Sequence, residues 1–123
     1  WPGFAPGTRG VLNTMAPTYF DTTGIVDAAA KPPILWIHGA VDAIVNDASF
    51  FDLNQLGAAG IIPGWPGVEV APPQPMLVQI RSVLERYAAA GGATREVVFE
   101  DCGHSPHIER PEEFLAELTA WVG

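Results

Sequence analysis

Apolar positions along the chain fall into two periodicities, and each predicts a different element. Ile34-Leu35-Trp36-Ile37 is a short unbroken apolar run bounded by Pro32-Pro33 and Gly39. Such a run, rich in β-branched and aromatic residues, predicts a strand buried on both faces, as in a parallel sheet. Arg95-Glu96-Val97-Val98-Phe99 predicts a second strand. Between them Leu77, Ile80, Leu84, Tyr87 and Ala88 recur at helical spacing, flanked by Met76 and Val83, with Arg81, Glu85 and Arg86 opposite. Pro75 opens this helix and Gly91-Gly92 stop it. A last helix is expected from Pro111, where the missing N–H costs nothing. Glu112 and Glu113 suit its positive end, and Phe114, Leu115, Leu118, Trp121 and Val122 form its expected buried stripe. Two strands joined through a helix predict an α/β arrangement with parallel strands.

Two stretches carry no clean period. Residues 1–31 are rich in Pro, Gly and Thr and are expected to form an extended segment, either a linker or the end of a cap region. Residues 32–123 then form the second region. Within it, residues 46–75 read as an insertion after the first strand. Asp47 to Leu56 predicts a short helix with Asn46 or Asp47 as its cap and Gly57 as its stop. Gly60 to Pro75 is a Pro- and Gly-rich loop that either shapes a pocket or meets another chain.

Composition removes several functions. The 123 residues carry 14 acidic and 6 basic side chains, a formal charge of -8. That balance argues against nucleic acid, whose phosphates call for clustered Lys and Arg. No apolar run reaches the roughly 18 residues expected of a membrane span. Cys102 is the single cysteine, so no internal disulfide is possible, which fits a cytoplasmic setting. The first residue is Trp1 rather than Met, and an earlier part of the protein is expected.

The candidate chemistry lies just beyond the two strands. The first leads into His38-Gly39-Ala40-Val41-Asp42-Ala43-Ile44-Val45, the second into Glu100-Asp101-Cys102-Gly103-His104. Turns leaving neighbouring parallel strands share one sheet edge, where α/β ligands collect. Asp42 is therefore expected to reach His104, fix its tautomer and leave Nε2 as a general base. Asp47 is the reserve acid. Ser105 is a poor nucleophile, because Pro106 has no N–H to offer an oxyanion and His107 is too bulky for a tight elbow. Cys102, His104, His107 and Glu109 match no common structural-zinc spacing. No metal and no cofactor are expected. His107 and Glu109 are expected to brace the loop and helix start around His104.

These motifs resemble the C-terminal part of the α/β-hydrolase family. The acid setting is Gly39-Ala40-Val41-Asp42-Ala43-Ile44-Val45. The histidine setting is Gly103-His104-Ser105-Pro106-His107-Ile108-Glu109-Arg110-Pro111-Glu112-Glu113-Phe114. The resemblance covers residues 32–123 and implies Asp42 and His104 as two members of a Ser-His-Asp triad acting on a carboxylic ester or related bond of a small molecule. The family's Gly-x-Ser-x-Gly elbow is missing. His38-Gly39 also resembles the family's oxyanion-hole segment, but then the elbow should follow within the chain, and it does not.

The expected fold is thus the C-terminal portion of an α/β-hydrolase sheet. It has two parallel strands, flanking helices and a long insertion, and is completed by an N-terminal part carrying the nucleophile. A buried parallel strand needs neighbours on both sides, so the carrier is expected to be either a second chain cut from the same precursor or an earlier stretch of a longer chain. This chain alone is expected to be inactive. The competing expectation is a non-catalytic domain that keeps the fold for binding or scaffolding.

Overall fold

The computed structural model describes residues 21–123. Most of the expected extended segment, residues 1–20, lies outside the described residues. Its remainder is partly helical: a 3-10 helix spans Thr22–Asp27, capped by Asp21, whose carboxylate accepts from the Thr23 N–H at 2.9 Å.

The chain then builds a small α/β unit. Strand β1 (Ile34–Gly39) leads to helices α1 (Leu53–Ala58) and α2 (Met76–Ala89). Strand β2 (Thr94–Phe99) follows, then the single turn α3 (Pro106–Glu109) and helix α4 (Pro111–Val122). The strands pair in parallel, in register from Ile34 opposite Thr94 to Gly39 opposite Phe99. The two long helices take opposite faces. Arg81 of α2 reaches Glu96 and lies over the Trp36 ring, so α2 covers the face of the even-numbered β1 residues. Arg95, on the other face, pairs with Glu117 of α4.

The core is sparse. Tyr87 and Cys102 are the buried hydrophobic residues among those described. Tyr87 closes α2 onto the start of β1, donating its hydroxyl to the Pro32 carbonyl at 2.7 Å. Gly92 makes this fit possible, since a Cβ there would fall 2.1 Å from the Tyr87 ring. Ile34 to Ile37, expected to be buried on both faces, are only half-buried, because no strand flanks the outer side of β1 among the described residues.

The insertion departs from expectation. Its helix starts at Leu53, not near Asp47, and Asp52 is the cap, accepting from the Asn54 N–H at 2.8 Å. The other Asp52 oxygen accepts from the Gln74 N–H at 2.6 Å, tying the two ends of the insertion together. Asp47 instead accepts from the Leu77 and Val78 N–H groups at 2.8 and 3.1 Å, capping α2 from 30 residues away. A helix start leaves N–H groups unpaired, and a carboxylate from elsewhere satisfies them as well as a local one.

Helix α4 also corrects the sequence pattern. Phe114, Glu117 and Trp121 are its half-buried residues, whereas Leu115, Leu118 and Val122 lie exposed on another face.

Candidate active site

The two strand ends continue to pair after the sheet stops. The Ala40 N–H donates to the Phe99 carbonyl at 2.9 Å and the Val41 N–H to the Cys102 carbonyl at 3.1 Å. Only glycine fits at position 39 between them: a Cβ would lie 2.0 Å from the Cys102 carbonyl oxygen and 2.2 Å from that of Gly103. This close approach brings the turn after β1 against the turn after β2.

Asp42 and His104 meet there. Asp42 Oδ2 lies 2.9 Å from His104 Nδ1. Asp42 Oδ1 accepts from the Ile44 and Val45 N–H groups at 2.7 and 3.0 Å. The Asp42 backbone carbonyl in turn accepts from the Asn46 side-chain amide. The carboxylate is therefore fixed through both oxygens, in a residue only 6% exposed. Burial pushes its pKa up, but the bonds from His104, Ile44 and Val45 outweigh burial and hold it below the usual carboxylate value. An ionised carboxylate only accepts, so the bond places the ring proton on Nδ1 and leaves the lone pair on Nε2. The His104 side chain is half exposed, and no described residue engages Nε2.

A second carboxylate holds the backbone around the ring. Glu109 Oε2 accepts from the Gly103 N–H at 2.8 Å and Oε1 from the Ser105 N–H at 3.0 Å. These two bonds hold the Glu109 carboxyl below its ordinary value. The α3 turn delivers Glu109: Pro106 starts it, and the Ser105 carbonyl accepts from the Ile108 and Glu109 N–H groups at 2.8 and 2.9 Å. His107 points elsewhere, its ring edge-on to Phe114 of α4 at 6.0 Å. It braces the helix start rather than the loop.

The other sequence candidates have separate tasks. Asp47, the reserve acid, is spent on the α2 start. Cys102 is buried, and burial pushes its thiol pKa up, the setting of a structural cysteine rather than a nucleophile. Among the described residues no hydrogen bond links the Ser105 hydroxyl to a ring nitrogen, and no group of three His, Cys, Asp or Glu is placed to hold a metal ion.

One polar cluster was not visible in the sequence. His38 stacks on Trp36 at 4.1 Å, and its Nε2 lies 2.8 Å from Glu96 Oε1. Arg81 grips both Glu96 oxygens, and its guanidinium, ahead of burial and of His38, sets the direction of the lowered Glu96 pKa. His38 is thereby occupied in packing α2 onto the sheet. Its partner Glu96 lies 58 residues further along the chain, beyond the reach of any local pattern.

Comparison with protein families, with curated proteins and with solved structures finds no match for this chain.

Proposed function

We propose that this chain supplies the acid and the base of a hydrolase acting on a carboxylic ester or related bond of a small molecule, as in the α/β-hydrolases. The observation that carries the reading is the 2.9 Å contact of Asp42 Oδ2 with His104 Nδ1, which leaves Nε2 open at the carboxyl edge of a parallel sheet. An imidazole held in that tautomer is a general base in search of a nucleophile. Nε2 takes the proton of a serine hydroxyl as its oxygen attacks the acyl carbon. The imidazolium, stabilised by Asp42, then protonates the departing alkoxide. In the second half Nε2 deprotonates the water that releases the acid and regenerates the serine.

The nucleophile and the oxyanion donors come from another part of the protein. Two features support this. The Ile34 and Ala40 N–H groups donate to Ala93 and Phe99 of the β2 side. In a parallel ladder this alternation turns the polar backbone of Leu35 and Ile37 toward the outer edge. That edge has no strand among the described residues and carries no charged side chain to blunt it. In addition, Leu115 and Val122 of α4 are 62% and 77% exposed, an apolar face suited to being covered.

A serine-directed covalent probe tests the reading on the protein as purified. The expected result is a label on a co-purifying polypeptide, lost on His104→Ala. Labelling unaffected by that substitution, or turnover of an activated ester by this chain with no companion, would refute it.

A further inference from the structure

Two carboxylates serve one imidazole in this fold, by different routes. Asp42 bonds the ring. Glu109 bonds the two peptide N–H groups on either side of His104, at 2.8 Å to Gly103 and 3.0 Å to Ser105. We propose that Glu109 is a positioning residue that sets where His104 stands relative to Asp42 and to the reacting atoms.

The geometry explains the choice of residue. Both N–H groups point at one carboxylate, and only an ionised carboxylate accepts through both oxygens at once. The Ser105 N–H lies in the peptide that leaves His104 and the Gly103 N–H in the peptide that enters Gly103, so the two bonds span His104 and restrict where its Cα stands. The first half of the loop is held by the Val41 N–H on the Cys102 carbonyl and by Arg110 on the Asp101 carbonyl, at 3.1 and 3.2 Å, and Glu109 holds the half that carries His104. Glu109 reaches back because α3 is a single turn, which carries its last residue beneath the loop it follows. Gly103 leaves room for this contact: a Cβ there would lie 3.1 and 3.2 Å from the two Glu109 oxygens. Charged acceptors on backbone N–H groups make the stronger class of hydrogen bond, so the clamp holds better than two neutral bonds would.

Substitution separates the possibilities. Glu109→Gln keeps one oxygen as acceptor but turns an NH₂ toward the other N–H, so one bond survives. Glu109→Ala removes both. The inference rests on the hydrolase reading for its consequence in turnover, but its geometry is read without turnover.

The experiment measures amide hydrogen exchange at Gly103 and Ser105, together with the downfield proton resonance of His104 Nδ1–H, in the full chain as purified. In Glu109→Ala, exchange at both amides should accelerate about 10-fold or more, and the Nδ1–H resonance should broaden or vanish. Glu109→Gln should show an intermediate effect and serves if the alanine variant does not fold. Where hydrolysis is measurable, kcat should fall roughly 10- to 100-fold with KM changed far less, as expected for a misplaced reacting group. Unchanged exchange and an unchanged resonance in a folded variant would overturn the proposal. If both respond but no co-purifying polypeptide takes a serine-directed label, the clamp stands and the hydrolase reading falls. If hydrolysis exists and neither responds, the clamp alone falls.

Discussion

The carboxyl edge of the sheet and the outer surface of the same unit are built to opposite standards. At the edge, Asp42 and Glu109 each use both carboxylate oxygens, and two backbone bonds carry the pairing past the strands. On the outside, Phe50, Phe51, Leu115 and Val122 stand more than half exposed, and few side chains are fully buried. Side-chain burial is where a small domain ordinarily gains its stability, while polar contacts add little net. A unit that holds its polar groups firmly at one edge and leaves its apolar surface bare is what the proposed function requires: order at the reacting edge and a surface for the part that completes the site.

The largest effect expected from breaking the ordered edge is chemical. Asp42→Asn keeps an oxygen for the Ile44 and Val45 N–H groups, so the turn should survive. Its amide NH₂ would then face His104 Nδ1, which must accept, and the ring proton moves to Nε2. The base is lost, and kcat should fall by about 10⁴, the scale expected for a histidine held in the wrong tautomer. Measuring kcat of the assembled protein checks this; a loss under tenfold would show that the 2.9 Å contact does not serve catalysis. Acid has a related effect. The folded pKa of Asp42 lies below its unfolded value. Its bonds therefore contribute fully above the unfolded carboxyl pKa of about 3.9, and the contribution is lost as pH falls through the lower folded value.

Next comes the joint itself. Gly39→Ala places a methyl 2.0 Å from one carbonyl oxygen and 2.2 Å from another, both backbone, so neither can swing aside. The two turns must part, which should cost roughly 3 kcal/mol, as overpacking does, and should lengthen the Asp42–His104 contact. The denaturation midpoint and the His104 Nδ1–H resonance report the two consequences separately. An unchanged midpoint would mean that the turns are not packed together in solution.

How far this arrangement was legible in the sequence depends on how local each cause is. β1, β2 and α2 announced themselves because an apolar run between breakers, and a stripe at helical spacing, are set by neighbours in sequence. Asp42 and His104 were legible for a similar reason: each follows its strand closely, and parallel strands bring such turns to one edge. The start of α1 was not. Asp47 and Asp52 can each cap a helix, and the choice was made by the α2 N–H groups 30 residues on, which took Asp47 and left Asp52 for α1. The His38–Glu96–Arg81 cluster was hidden because its members belong to three elements. In α4 the pattern held two apolar faces, and the one that packs carries half-buried Phe114 and Trp121 with Glu117 between them paired to Arg95, a choice that only the rest of the fold makes.

That second face of α4 supplies the smallest expected effect within the chain and the sharpest test of what the bare surface is for. Leu115 and Val122 touch little in this unit, so replacing both with Glu removes almost no packing. Surface changes of this kind stay within about 0.5 kcal/mol, and the chain's own stability should barely move. If the face is covered by the polypeptide that completes the site, the same double substitution buries two unpaired charges in that interface, and burying such charges is prohibitive. The companion should then be lost from the purified material while the helix content of this chain is retained. A collapse of the chain's own fold would show that these side chains are already buried in the unit. Retention of the companion would place the seam elsewhere, leaving the open edge of β1, with Leu35 and Ile37, as the surface that completes the sheet.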